Sequence, residues 1–219
     1  KFSLESYKSV FDKLGSAITN TYLYGIIAIV IIVILGMFIA YISTRRKSWI
    51  TNLIDTITMF PYIIPGSVLG ITLLLAFNKK PMVLSGTCVI IIIAYVVRRL
   101  PYTLRSSAAI LYQISPSMEE ASISLGCSPV KTFFKVTAVM MLPGVFAGAI
   151  LSWITVINEL SASVILYTGG TKTLSVSIYT EVIRASYGTA AAMATILTLT
   201  TVVSLLIFFK VSGSKEISL

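Results

Sequence analysis

Residues 115–144 read SPSMEEASISLGCSPVKTFFKVTAVMMLPG, the one long polar interruption in the central part of a very apolar chain. Ser115 followed by Pro116 fits an N-cap with proline at the first helical position. Ser117 is the alternative cap, since its Ser-x-x-Glu spacing to Glu120 makes a capping box. Either way Met118, Ala121, Ser122 and Leu125 fall at i, i+3, i+4 and i+7, a narrow stripe of apolar and small side chains. Gly126 can take the left-handed conformation that closes such a helix. Ser128-Pro129 then repeats the cap-plus-proline start, and the chain runs on into a hydrophobic span. The spacing predicts a short helix over residues 115–126, on the cytoplasmic side between two membrane helices.

Composition sets the solvent. Of the 219 residues 56% are hydrophobic and 11% charged, and the mean hydropathy is +0.94. A soluble domain carries roughly 25% charged residues, so composition alone makes this a membrane protein; the helical spans read below make it multi-pass and all-α. A net charge of +9 would suit nucleic acid, but the basic residues stand in short clusters beside apolar runs. The positive-inside bias produces that placement, and nucleic acid is not expected as a partner. Cys88 and Cys127 suit neither a disulfide nor, without histidine, a zinc site. The lack of histidine also removes the His-Glu-x-x-His and Ser-His chemistries. Gly169-Gly170-Thr171-Lys172-Thr173 lacks the first glycine of a phosphate loop at the right distance and reads as a flexible turn. No catalytic or metal-ligating residue is expected.

Working outward, residues 1–20 are modestly polar, with Tyr7, Val10, Phe11 and Leu14 at helical spacing, and read as an amphipathic interfacial helix. Residues 21–42 are uncharged, long enough to span a bilayer, and followed by Arg45-Arg46-Lys47, a cytoplasmic label. The second span, 56–77, contains Pro61, Pro65, Gly66 and Gly70 and is expected to be kinked or partly broken. After an outer turn at Lys79-Lys80, a third span covers 81–97 and continues to about residue 114, with Arg98, Arg99 and Arg105 as further cytoplasmic labels. The fourth and fifth spans are 136–158 and 185–209, with a short outer helix over 174–184 between them. Gly66-x-x-x-Gly70 and Gly144-x-x-x-Gly148 are candidate close-packing faces.

Glu159 closes the fourth span on the outer side. Asn158 and Glu159 are the candidate path-facing polar pair, against the plainer reading of an interfacial carboxylate in water. Tyr167, Tyr179 and Tyr187 read as an interfacial belt. Five spans, N-terminus outside and C-terminus inside beside Lys210 and Lys215, fit the distribution of Lys and Arg. An odd count starting outside, from a chain whose residue 1 is Lys, implies a first helix upstream.

The central stretch resembles the EAA loop of permease subunits of binding-protein-dependent ABC importers. Glu120, Ala121, Ser122 and Gly126 match its Glu-Ala-Ala-x-x-x-Gly spacing, with Ser at the second Ala, and Val136 matches its later hydrophobic position. The family's Leu-Pro falls on Ala138-Val139, a departure, while Pro143-Gly144 matches a later pair usual in one branch. Arg99-Leu100-Pro101-Tyr102, Gln113, Ser115-Pro116-Ser117, Glu159-Leu160-Ser161-Ala162, Leu166-Tyr167, Thr173-Leu174-Ser175-Val176 and Ile178-Tyr179 are similar to the ferric-iron branch, in which one polypeptide often holds two such modules. Importers of phosphonates, thiamine, sulfate and polyamines share much of this.

The resemblance implies an ABC importer type I-like permease core with about five transmembrane helices and a short cytoplasmic coupling helix, in the bacterial inner membrane. It implies that Ser117, Glu120, Ala121, Ser122, Gly126 and Pro129 couple to an ATPase, and that Asn158, Glu159, Ser161, Gly169 and Gly170 belong to the path or its outer gate. Two ATPase subunits, an extracytoplasmic solute-binding protein, a second permease copy or sister module, and lipid are the implied partners. ATP and magnesium would be held by the ATPase, with no cofactor in this chain. A competing class is a secondary carrier or channel that needs no ATPase; it should hold carboxylates or histidines inside its spans, and the uncharged segments contain none.

Overall fold

The computed structural model describes residues 5–212; Lys1 and Lys215, used above to orient the chain, lie outside them. The first helix, α1 (Glu5–Arg45), runs unbroken for 41 residues, about 60 Å. No proline interrupts it, and Glu5 at its start and Arg45 at its end both complement the helix dipole. The separate interfacial helix expected over residues 1–20 therefore does not form. Val10, with Tyr7 and Ile18 beside it, packs on Leu174, Met193 and Leu197 instead, so this part of α1 is held by protein and continues straight into the span.

The second span is broken. α2 (Trp49–Ile63) starts earlier than the sequence indicates, under a capping box between Ser48 and Thr51, and stops before Pro65. α3 (Gly66–Ala76) leaves at a bend of 111°. A proline at residue 65 cannot supply the N–H that would continue the helix. Tyr62 lies edge-on to Tyr102, their centroids 5.5 Å apart, and Arg105 Nη2 meets Asp55 Oδ2 at 3.0 Å. Both contacts align α2 against the fourth helix.

The helix expected to open at residue 81 begins later. Residues 78–83 form a small antiparallel hairpin of β1 (Asn78–Lys79) and β2 (Met82–Val83), and α4 (Cys88–Gln113) follows. Pro81 sits in the hairpin turn rather than opening a helix. After the short α5 (Ser117–Ser124) and α6 (Pro129–Thr132), a π-helical turn over Phe133–Thr137 feeds α7 (Ala138–Ile157). The outer segment contains α8 (Ser163–Leu166) and α9 (Leu174–Ile183), and α10 (Tyr187–Ser212) ends the described chain. Among the described residues, three helical stretches are long and apolar enough to cross a membrane: Gly15–Arg45, Pro129–Ile157 and Tyr187–Lys210. The bent α2–α3 pair could supply one more crossing.

The core lies between α1, α4 and α7. Tyr24, Ala28 and Ile32 of α1 pack on Ile90, Ile91, Ala94 and Tyr95 of α4, with Leu69 and Leu73 of α3. Lower down, Ala40 meets Ala108, Leu111, Met141 and Val145. The α4–α7 seam is very close: a Cβ on Gly148 would lie 2.5 Å from the Thr103 Cα, and one on Gly144 2.5 Å from Ile110 Cγ2. Small residues let the backbones approach, and hydroxyls then bridge them. Ser106 Oγ donates to the Gly144 carbonyl at 2.6 Å, and Thr103 and Ser152 hydroxyls are 3.0 Å apart. The Gly66/Gly70 face packs differently, against Arg98, Ser161, Ala162 and Ile165, so it receives the outer segment rather than a full span.

Candidate functional site

Two groups of residues stand out, a hairpin at one end of the bundle and an ion cluster inside it. In the hairpin, Pro116 already has helical dihedrals and Ser115 Oγ accepts the Ser117 N–H at 3.3 Å. The Ser115-Pro116 start is thus the one used, and the Ser117–Glu120 capping box does not form. At the other end Gly126 has φ +90°. Its N–H donates to the Ile123 carbonyl at 2.9 Å and the Cys127 N–H to the Ser122 carbonyl at 3.1 Å, a Schellman closure that favours glycine. Ser128 Oγ then accepts the Lys131 N–H at 3.4 Å, with Pro129 in the first helical turn.

The two faces of this hairpin differ. Outward, Met118, Ile123, Leu125 and Val130 are exposed, Leu125 to 87%, and Glu120 and Ala121 are exposed with them. Inward, Glu119 Oε1 accepts from Arg45 Nε at 2.8 Å and its Oε2 from the Tyr41 hydroxyl at 3.3 Å. Arg45 Nη2 also donates to the Ile114 carbonyl at 2.9 Å. Ser122 and Thr132 hydroxyls lie 3.0 Å apart, and Phe133 packs between Phe38 and Tyr41 at 5.1 and 4.7 Å. Glu119 and Tyr41 were not singled out from sequence, and Arg45 was read only as part of a cytoplasmic label. The neighbouring glutamates differ by about 100° around a helix, which is the signal that could have separated them.

Inside the bundle, Glu159 joins Arg98 and Arg99. Glu159 Oε1 lies 2.7 Å from Arg98 Nη1, and Oε2 pairs with Arg99 Nη2. Oε1 also accepts the Ala162 N–H at 3.1 Å. Glu159 is only 4% exposed, and the Arg99 Nε is buried without a partner. The cluster corrects the sidedness drawn from sequence, which put Arg98 and Arg99 inside and Glu159 outside. Arg98 comes ten residues after Cys88 at the start of α4, about 15 Å along the helix. α7 stops level with it, and the chain completes its course through the irregular segment carrying α8. Ala162, Ser163 and Leu166 of this segment are buried in protein. Two guanidiniums thus face one carboxylate just beyond the ends of the uncharged spans read from sequence.

The other path residues scatter. Asn158 is exposed and donates to the Ile154 carbonyl at 2.8 Å, so it does not pair with Glu159. Ser161 is exposed and packs beside Gly66, where an added Cβ would lie 2.6 Å from its own. Gly169 and Gly170 form an exposed turn apart from the cluster; Asn20 Nδ2 donates to the Gly170 and Lys172 carbonyls, each at 3.0 Å. Among the described residues no group of three or more His, Cys, Asp or Glu could hold a metal ion.

A bundle of apolar helices with one sharply bent pair, an ion cluster buried in the bundle and a helical hairpin presenting an exposed face is the architecture of a multi-pass membrane protein. The family model for the inner membrane component of binding-protein-dependent transport systems matches residues 32–215. The chain belongs to that family and is an inner-membrane protein. It is 32% identical to the ferric transport system permease protein FbpB of Actinobacillus pleuropneumoniae, over 98% of this chain and 32% of that protein. It thus spans about a third of that relative's length. It is 25% identical to the putative 2-aminoethylphosphonate transport system permease protein PhnV of Salmonella typhi, over 86% of this chain and 70% of the other. A solved bacterial ABC transporter involved in the import of the acidic polysaccharide alginate superimposes with TM-score 0.79, covering 99% of this chain and 85% of that one at 13% identity. The fold is that of a type I-like importer permease.

Proposed function

We propose that this chain forms half of the translocation path of an ATP-driven importer of ferric iron, crossing the membrane five times. The observation that carries the reading is the hairpin's division of labour. One face of α5 is fastened to α1 through Glu119, while Glu120, Met118 and Leu125 stand exposed on the rest of the hairpin. An exposed apolar patch with a carboxylate on it suits a protein partner, and in this family the partner is the ATPase subunit. ATP-driven closure of two such subunits pushes the hairpin, and the spans rock between inward- and outward-open states. The chain itself transports without hydrolysing ATP; nucleotide and magnesium belong to the ATPase. A solute-binding protein delivers cargo outside, and a second copy or sister module completes the path.

The similarity to FbpB supports ferric iron as cargo; the similarity to PhnV keeps a phosphonate as the second reading. The Arg98–Glu159–Arg99 cluster belongs to the path, and the turn at Gly169-Gly170 to its outer gate. Copurification of the full-length protein with its ATPase tests the coupling half of this reading. Wild type should retain the ATPase, and a Glu120→Ala, Leu125→Ser variant at equal membrane level should lose most of it. Equal retention by both would remove the hairpin from the interface.

A further inference from the structure

We propose that Glu119 is a positioning residue of the coupling machinery, acting through Arg45 as a strut that carries motion of the hairpin directly into α1. The proposal rests on the reading of the chain as an ATPase-driven permease and specifies the route inside it. Along the chain α5 is joined to its neighbours by residues 114–116 before it and the turn at Gly126 after it. The direct lateral fastening to α1 is the Arg45–Glu119 ion pair at 2.8 Å, with side chains 14% and 13% exposed. Tyr41 adds a second bond to the same carboxylate, one helical turn earlier on α1. Arg45 further holds the Ile114 carbonyl, where α4 ends. One guanidinium therefore ties α1, the end of α4 and α5 together.

The receiving helix is suited to the task. α1 packs on α4 through Gly36, where an added Cβ would meet the Leu104 backbone N at 3.3 Å, and on α7 through Gly25 against Trp153 at 3.1 Å. A shift of its last turn cannot be absorbed locally at contacts this close. Phe133, wedged against Phe38 and Tyr41, keeps the hairpin's second arm on the same turns of α1. Glu119 and Glu120 thus point about 100° apart around α5, one toward the bundle and the other exposed for the partner. Pairing is strengthened because both partners are mostly shielded from water.

The test uses the complete transporter in proteoliposomes and reads cargo taken up per ATP hydrolysed. Glu119→Gln removes the charge at constant shape, Arg45→Gln removes its partner, and the double exchange Arg45→Glu, Glu119→Arg restores the pair in reverse. Each single variant should lower cargo per ATP by at least about five-fold, the lower end of ordinary coupling between sites, and the exchange should recover most of it. A Glu119→Gln transporter with the wild-type ratio overturns the strut, and so does an exchange no better than the single variants. A wild type that carries another cargo, or binds no ATPase, shows instead that the functional reading is wrong, and that outcome appears without any variant. Loss of membrane level is checked separately with Arg45→Lys, which can keep the ion pair and should keep the ratio.

Discussion

Arg98 Nη1 lies 2.7 Å from Glu159 Oε1, tying the middle of α4 to the residue just past the end of α7. Arg99 holds the other oxygen, so one carboxylate balances two guanidiniums in an environment from which water is largely excluded. Taking charges out of water costs several kcal/mol per ion, and the pairing repays this only while every partner is present.

Glu159→Gln should therefore destabilise the folded protein by about 3–5 kcal/mol. The expected observation is a large shift in the unfolding midpoint in mixed detergent micelles. Arg105→Gln is the control: its pair with Asp55 is more than half exposed on the arginine side, and such pairs contribute about 0–1 kcal/mol. Equal effects of the two substitutions would mean that Glu159 is hydrated in the membrane after all.

Gly148→Ala should cost about 1–3 kcal/mol through overpacking, because the new methyl meets backbone of α4 at 2.5 Å. Backbone cannot rotate away as a side chain can. Gly169→Ala has open space around it and should leave the unfolding midpoint unchanged. A neutral Gly148→Ala would show that α4 and α7 can separate without penalty.

Gly126→Ala meets no neighbouring atom, so its whole effect comes from φ +90°. A left-handed conformation costs an L-residue about 1–2 kcal/mol. The Schellman closure of α5 should loosen, seen as faster amide exchange at Gly126 and Cys127 with α7 unaffected. Gly126→Asn should be milder, since asparagine tolerates this region better. Unchanged exchange in the alanine variant would mean the closure is held by something other than the turn itself.

Much of this architecture was legible in the sequence, and the reasons differ by element. The long uncharged runs of α1, α7 and α10 are read through solvent alone, and the prolines and glycines of residues 56–77 announced a kink or break, which falls at Pro65 and not at Pro61 inside α2. The Gly126 stop is local chemistry, decided within a few residues, while the start was left open between Ser115-Pro116 and Ser117 and only the structure separates them. What failed was depth. Arg98 and Arg99 looked like anchors beside water because an arginine is usually there; their carboxylate, some 60 positions away in the chain, was invisible to any local window. The same limit hid the Glu119–Arg45 pair, 74 positions apart. The N-terminal twenty residues misled for the opposite reason. Tyr7 and Val10 of the helical pattern pack on α9 and α10, while Phe11 stays exposed.

The most direct test of the account is energised uptake of labelled ferric iron by cells carrying the full-length transport system, with Glu120→Ala beside wild type. The prediction is uptake by wild type and its loss in the variant at equal membrane level. Uptake that continues undiminished in Glu120→Ala would contradict coupling through the hairpin, and a wild type that takes up a phosphonate but no iron would contradict the cargo.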